Sequence, residues 1–260
     1  MNPLVKRIVT ALTTAALVVC ALIYLPVQVV LPAIMILALL VQLEFSQIVA
    51  RKYEIMPVIG AISSIGFFVS VFYCKCIELP YSLVAIMFFI ALSALFSKSS
   101  KPIEAMGTTI LSFMYIPFML TFFMLIPVEF GMKWLLYIIA IVKISDMGGF
   151  AFGKAFGKHK MCPTISPKKS WEGLAGSVFA SSLISCAFIP MTGFVWYKAL
   201  LFGVAAALVG TLGDLVESRF KREADVKDSA TFMPAGLGGF LDMFDSLIFA
   251  PALFFPFLSK

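Results

Sequence analysis

Charge is scarce in this chain. Only 13% of its 260 residues are Asp, Glu, Lys or Arg, whereas 61% are hydrophobic and the mean hydropathy is +1.02. A water-soluble globule cannot cover its surface with so few polar side chains, so a soluble fold is excluded and the solvent is lipid. Histidine occurs once, as His159, and the five cysteines (Cys20, Cys74, Cys76, Cys162 and Cys186) show no paired metal-ligand spacing. A zinc or haem centre is therefore not expected. Cys74 and Cys76 are near neighbours whose disulfide would be strained, and the thiols read as small buried or spectator groups. Internal repeats and low-complexity linkers are also lacking, and no separate soluble domain fits.

What the chain has in abundance is long apolar tract. The first runs uncharged from Ile8 to Leu43, too long for one crossing, and is broken near Leu25, Pro26 and Pro32 into two helices. Further tracts lie near 56–74, 79–96, 108–128, 134–153, 174–194, 198–216 and 239–258. The expected fold is all-α, a polytopic integral membrane protein of about nine transmembrane helices. Lys6 and Arg7 precede a tract with no small-residue cleavage site, which reads as a retained first helix and not a signal peptide. With the N-terminus inside, fifteen Lys and Arg fall on the cytoplasmic side, against Lys75, Lys133, Lys198 and Lys260 outside. That asymmetry predicts a cytoplasmic N-terminus and an external C-terminus. The net charge of +6 is thus first a topological signal and second a hint of anionic lipid or phosphate partners; nucleic acid is not suggested.

Polar residues are unevenly spread. Residues 1–140 read as transmembrane scaffold with charges at helix ends, and 141–260 as the part carrying chemistry, within one continuous membrane domain. Acids placed inside apolar helices are costly and tend to be functional. Four constellations stand out. Lys143 and Asp146 precede Gly153 and Gly157, read either as a neutralised pair with glycine-mediated packing or as an acid facing a polar cavity. The loop from Pro163 to Gly173 sets Ser166, Lys168, Lys169 and Ser170 ahead of a helix start, suited to a phosphate or simply to a capped cytoplasmic loop. Asp214, Glu217, Ser218 and Lys221 share one helical face by their three-and-four spacing. Ion pairing between Glu217 and Lys221 explains part of this run but not the deeper Asp214. Finally, a glycine-rich turn through Gly236, Gly238 and Gly239 opens the last helix, with Asp242 and Asp245 at i and i+3. Two such carboxylates call for a shared cation, and magnesium suits an oxygen site that leaves room for substrate phosphates.

These blocks resemble the phosphatidate cytidylyltransferases, also called CDP-diacylglycerol synthases. Ser218, Phe220, Lys221, Arg222, Lys227, Asp228 and Ala230 look like the family signature that precedes a glycine turn and two aspartates. Asp146-Met-Gly-Gly-Phe150, Gly153, Gly157 and Ser166-Pro167 through Lys169-Ser170-Trp171-Glu172-Gly173 are similar to its upstream blocks in the same order. The resemblance covers roughly residues 140–250. Where the family has a His in the turn and an Arg between the aspartates, this chain has Leu237 and Met243; the cation's role then falls to Lys221, Arg222 or Lys227.

The resemblance implies transfer of CMP from CTP to phosphatidic acid, giving CDP-diacylglycerol and pyrophosphate, with Mg2+ required and a second, monovalent cation left open. It implies Asp214, Asp242, Asp245, Asp146 and Glu217 as metal ligands, and Asp214, Lys221, Asp228, Asp242 and Asp245 as the catalytic set. Ser166, Lys169, Ser218, Arg222, Lys227, Gly238 and Gly239 would bind substrate. It further implies a homodimer, and a bacterial cytoplasmic membrane is compatible with the absence of organelle-targeting features. The topology, independently of the resemblance, gathers all four constellations on the cytoplasmic side, where CTP and a lipid headgroup meet. Two other classes remain: a CTP-dependent polyprenol or lipid kinase, and a membrane transporter, which would place polar residues across the whole bilayer.

Overall fold

The computed structural model describes residues 19–74, 79–226 and 239–258. Helical residues 19–24 end at Leu25, and Pro26, in extended conformation, starts α1 (Val27–Val49). Then follow α2 (Pro57–Cys74), α3 (Leu79–Leu95) and α4 (Pro102–Phe113). A π-helical turn (Met114–Phe118) around Pro117 joins α4 to α5 (Met119–Glu129). The second half contains α6 (Met132–Phe156), a hairpin of β1 (Lys160–Cys162) and β2 (Ser166–Ser170), α7 (Trp171–Ala187), α8 (Ile189–Thr192), α9 (Trp196–Glu223), α10 (Phe240–Phe244) and α11 (Ala250–Leu258). Among the described residues, Val27–Val49, Pro102–Glu129, Met132–Phe156 and Trp196–Glu223 are long and apolar enough to cross a membrane. The architecture is that of a helical membrane protein.

Three features depart from the sequence expectation. The loop from Pro163 to Gly173, read as suited to a phosphate or as a capped cytoplasmic loop, supplies the turn and second strand of an antiparallel hairpin that begins upstream and pairs Lys160 with Ser170 and Cys162 with Ser166. Pro163 and Pro167 disfavour helix there, and cross-strand pairing gives the backbone its hydrogen bonds. The last apolar tract is two helices, α10 and α11, separated at residues 245–249. And α1 continues to Val49, so Glu44, which looked like the end of an apolar tract, lies inside a helix and is fully buried.

Small residues let the second half pack closely. Gly148 and Gly149 of α6 face Gly176 and Ser177 of α7, and a Cβ on Gly176 would stand 2.3 Å from Phe152 Cβ. Without a hydrophobic driving force in lipid, such close backbone approach and buried hydroxyls hold helices together. Ser181 Oγ donates to the Gly203 carbonyl of α9 at 2.7 Å, and Tyr137 and Ser185 hydroxyls pair across α6 and α7 at 2.7 Å. Phe45, Tyr137, Ile138 and Leu241 belong to one buried core that joins α1, α6 and α10.

The hairpin is fastened to α7. The Trp171 amide donates to the His159 carbonyl at 3.0 Å, and the Ser170 hydroxyl caps α7 by accepting from the Gly173 amide at 3.2 Å. Glu172 accepts from its own amide and from the His159 ring, and these hydrogen bonds hold its carboxyl down at about 2, against 4.5 when free. A depressed carboxyl stabilises the hairpin junction above pH 4.5, and that contribution fades as pH falls toward 2. Hydrogen exchange of the 158–173 segment should therefore accelerate between pH 5 and pH 3 after correction for intrinsic rates. Glu172→Gln should remove most of that acid dependence.

Candidate active site

Four elements bring polar side chains to one place: α6, the end of β2, the C-terminal half of α9, and α10 with the turn after it. Each is built to approach closely. Gly213 of α9 lies so near the last turn that a Cβ there would stand 2.4 Å from the Asp245 carbonyl. Lys169, one residue before the cap of α7, reaches across to α9, where its ammonium donates to Asp214 Oδ2 at 2.7 Å and to the Thr211 carbonyl at 3.0 Å.

The helical face read from the sequence is present. Lys221 Nζ lies 2.7 Å from Glu217 Oε2 and 2.8 Å from Asp242 Oδ1, so one ammonium bridges α9 to α10. Glu217 is 1% exposed, and its other oxygen, Oε1, is buried without a hydrogen-bond partner among the described residues. Asp242 is further fixed by the Gly239 amide, which donates to Oδ2 at 2.9 Å. Lys143 and Asp146 sit 3.6 Å apart, and the Ser246 hydroxyl donates to Asp146 Oδ2 at 2.8 Å. Lys143, read from the sequence as a partner for Asp146, also donates to the Met243 carbonyl at 2.9 Å and so stands beside the position that lacks an arginine.

Asp245 lies in the electrostatic field of Asp214 and Glu217, and Asp146 in that of Asp214. Asp242 and Asp245 thus have different surroundings: the first is held by Lys221, the second faces Asp214. Ser218 is half-buried on the same stretch of α9. Arg222 is exposed at the edge, its Nε donating to the Ile165 carbonyl at 3.4 Å next to Ser166. Lys227, Asp228 and Gly238 lie outside the described residues. Two contributors were missed in the sequence: Glu44, which accepts from the Leu241 amide at 2.9 Å, and Tyr115 of the π-turn, whose buried hydroxyl sits in the field of Glu217, Asp245 and Asp214. An acid at the end of an apolar tract, with Gln42, Ser46 and Gln47 nearby, read as a helix end, and a tyrosine in an apolar run carried no local signal; π-turns do recur at functional sites.

Among the described residues no three His, Cys, Asp or Glu side chains gather closely enough to make a closed metal cage. The acids come in pairs, Asp214 with Asp245 and Asp214 with Asp146. A hard cation such as magnesium takes one or two carboxylates and completes its shell with water and substrate phosphates. The carboxylates among the described residues fit an ion of that kind. Lys143, Lys169 and Lys221 are the ammonium groups that face Asp146, Asp214, Glu217 and Asp242.

Removing one partner from such a buried network is more damaging than removing both. Lys221→Met should destabilise the detergent-solubilised protein by roughly 3–5 kcal/mol, the cost of leaving buried acid uncompensated, and adding Glu217→Gln should recover part of that loss in the same thermal unfolding assay. Gly213→Ala should displace the Asp245 backbone, lowering the melting temperature and any turnover together.

A family model described as the cytidylyltransferase family matches residues 5–259. The phosphatidate cytidylyltransferase of Staphylococcus aureus (strain COL) is 36% identical over 222 residues, covering 82% of this chain and 84% of that protein. The phosphatidate cytidylyltransferase of Mycobacterium bovis is 46% identical over 129 residues, covering 48% of this chain and 41% of that protein. With almost its whole length matched, and with acids and lysines converging as described, this chain belongs to the cytidylyltransferase family.

Proposed function

We propose that this chain is a phosphatidate cytidylyltransferase, transferring CMP from CTP to phosphatidic acid with release of pyrophosphate. The observation that carries the reading is the convergence of Lys169 and Lys221 on Asp214, Glu217 and Asp242, beside an acid pair and next to a lipid-facing groove. That groove, about 800 Å³, runs from Trp171 along Leu174, Val178 and Leu183 to Leu200 and Val204, and is almost wholly apolar. It begins two residues from Lys169, so a phosphate held by that lysine can have acyl chains lying against α7 and α9.

The reaction needs little from side chains beyond position and charge. A phosphatidate oxygen forms a bond to the α-phosphorus of CTP while the bond from that phosphorus to the bridging β-phosphate oxygen breaks. The nucleophile is already anionic, so no side chain has to remove a proton from it. Lys169 and Lys221, which neutralise Asp214, Glu217 and Asp242, are placed to exchange those carboxylates for phosphate oxygens. Arg222 and Lys143 stand at the rim and at the turn to receive further phosphate charge, and the Gly239 amide keeps Asp242 oriented. Asp214 and Asp245, with Asp146 behind them, are the groups that would hold Mg2+; when bound it supplies charge neutralisation of the triphosphate and of the developing oxyanion.

In this reading the chain crosses the membrane about nine times, with its N-terminus and active site on the cytoplasmic face of a bacterial inner membrane, in keeping with its charge asymmetry. By resemblance to the family it acts as a homodimer.

The test is conversion of radiolabelled CTP and phosphatidic acid to a lipid-soluble cytidine product by purified protein. Activity should need Mg2+ and be abolished by EDTA. Asp242→Asn and Asp245→Asn should each lower the rate by roughly two orders of magnitude, the usual cost of losing one preorganised electrostatic contact. A lipid product bearing a new terminal phosphate and no cytidine would instead identify a kinase.

A further inference from the structure

The last short helix, α10, lacks a conventional cap. Its N-cap residue is Gly239, which has no side chain to accept an amide of the first turn. Half of a capping arrangement is present, because Asp242 at the third position reaches back to the Gly239 amide. The other half comes from far away in sequence. Glu44 of α1 is wholly buried, and its Oε2 accepts from the Leu241 amide at 2.9 Å across 197 residues. Glu44 has no other hydrogen bond among the described residues; its Oε1 is buried without a partner. A carboxyl in an apolar helix is costly, and this one is explained by the single amide that it satisfies.

We infer that Glu44 is a positioning residue: it completes the cap of α10 in trans and thereby sets the orientation of Asp242 and Asp245. Asp242 is one residue beyond the amide that Glu44 holds, and Asp245 follows at the end of α10 against Gly213. The turn is thus gripped from α1 on one side and from α9 on the other. Truncating Glu44 leaves the Leu241 amide buried and unsatisfied, and the first turn of a five-residue helix has few other bonds to hold it. Glu44 itself need touch neither nucleotide nor lipid. The inference rests on the proposed reaction for its kinetic part only.

The experiment compares wild type, Glu44→Gln and Glu44→Leu by cytidylyl-transfer kinetics and by hydrogen exchange of the 239–246 segment. The Gln side chain offers a carbonyl oxygen in the same place and should keep kcat within about threefold, with exchange unchanged. Glu44→Leu should lower kcat by about tenfold or more with little change in KM for CTP, and should accelerate exchange in 239–246 selectively. Unchanged exchange and turnover in Glu44→Leu would overturn the inference. So would a Gln variant as inactive as the Leu variant with normal exchange, since Glu44 would then act through its charge on substrate or ion. If Glu44→Leu does not fold, Glu44→Asp, which withdraws the acceptor by one methylene, is judged on the same two readouts. Should wild type make no cytidine lipid, the proposed reaction fails, and the exchange data still decide whether Glu44 caps α10.

Discussion

Carboxylates cannot stay inside an apolar helical bundle unless positive charge faces them, and the whole polar end of this molecule is organised by that constraint. Lys169 spans from the hairpin to Asp214, Lys221 ties Glu217 to Asp242, and Lys143 joins α6 to the turn after α10. Each ammonium links elements distant in sequence, so neutralisation and tertiary structure are the same set of contacts. The close approach of Gly213 to the Asp245 backbone brings α9 against the turn after α10, beside the Lys221 bridge from α9 to α10.

A site held by exchangeable ion pairs is suited to a polyanionic substrate. The lysines lower the cost of burying the acids that face them. The hairpin contributes by rigidity: Ser170, Trp171 and Glu172 fix its junction with α7, leaving Lys169 anchored at its base.

Much of this was legible in the sequence, for identifiable reasons. Helix-length apolar tracts, breaks at Leu25 and Pro26, and the spacing of Asp214, Glu217 and Lys221 all act locally, and local patterns survive into the fold. Asp146, Lys169, Asp242 and Asp245 stood out because charge is rare in such a chain. What was hidden depends on direction and distance. That Lys169 seeks Asp214 while Asp242 binds Lys221 follows from how α9 and α10 face each other, which spacing does not encode. The hairpin strands are three and five residues long, too short for alternation to speak. Glu44 looked like the end of a membrane segment because the apolar run stops there, whereas helix α1 continues for five more residues.

The contact between Glu44 and Leu241 also constrains the order of assembly. Chains emerge from the ribosome N-terminus first, and α1 is made almost two hundred residues before the backbone it caps. Closing so long a loop is entropically slow. The helices of the first half and the α6, α7 and α9 packing can therefore form before α10 and the turn after it exist. A nascent chain stopped short of residue 240 carries Asp146, Asp214 and Glu217 without Asp242 and Asp245, and the polar cluster is completed only when the final segment docks against the first.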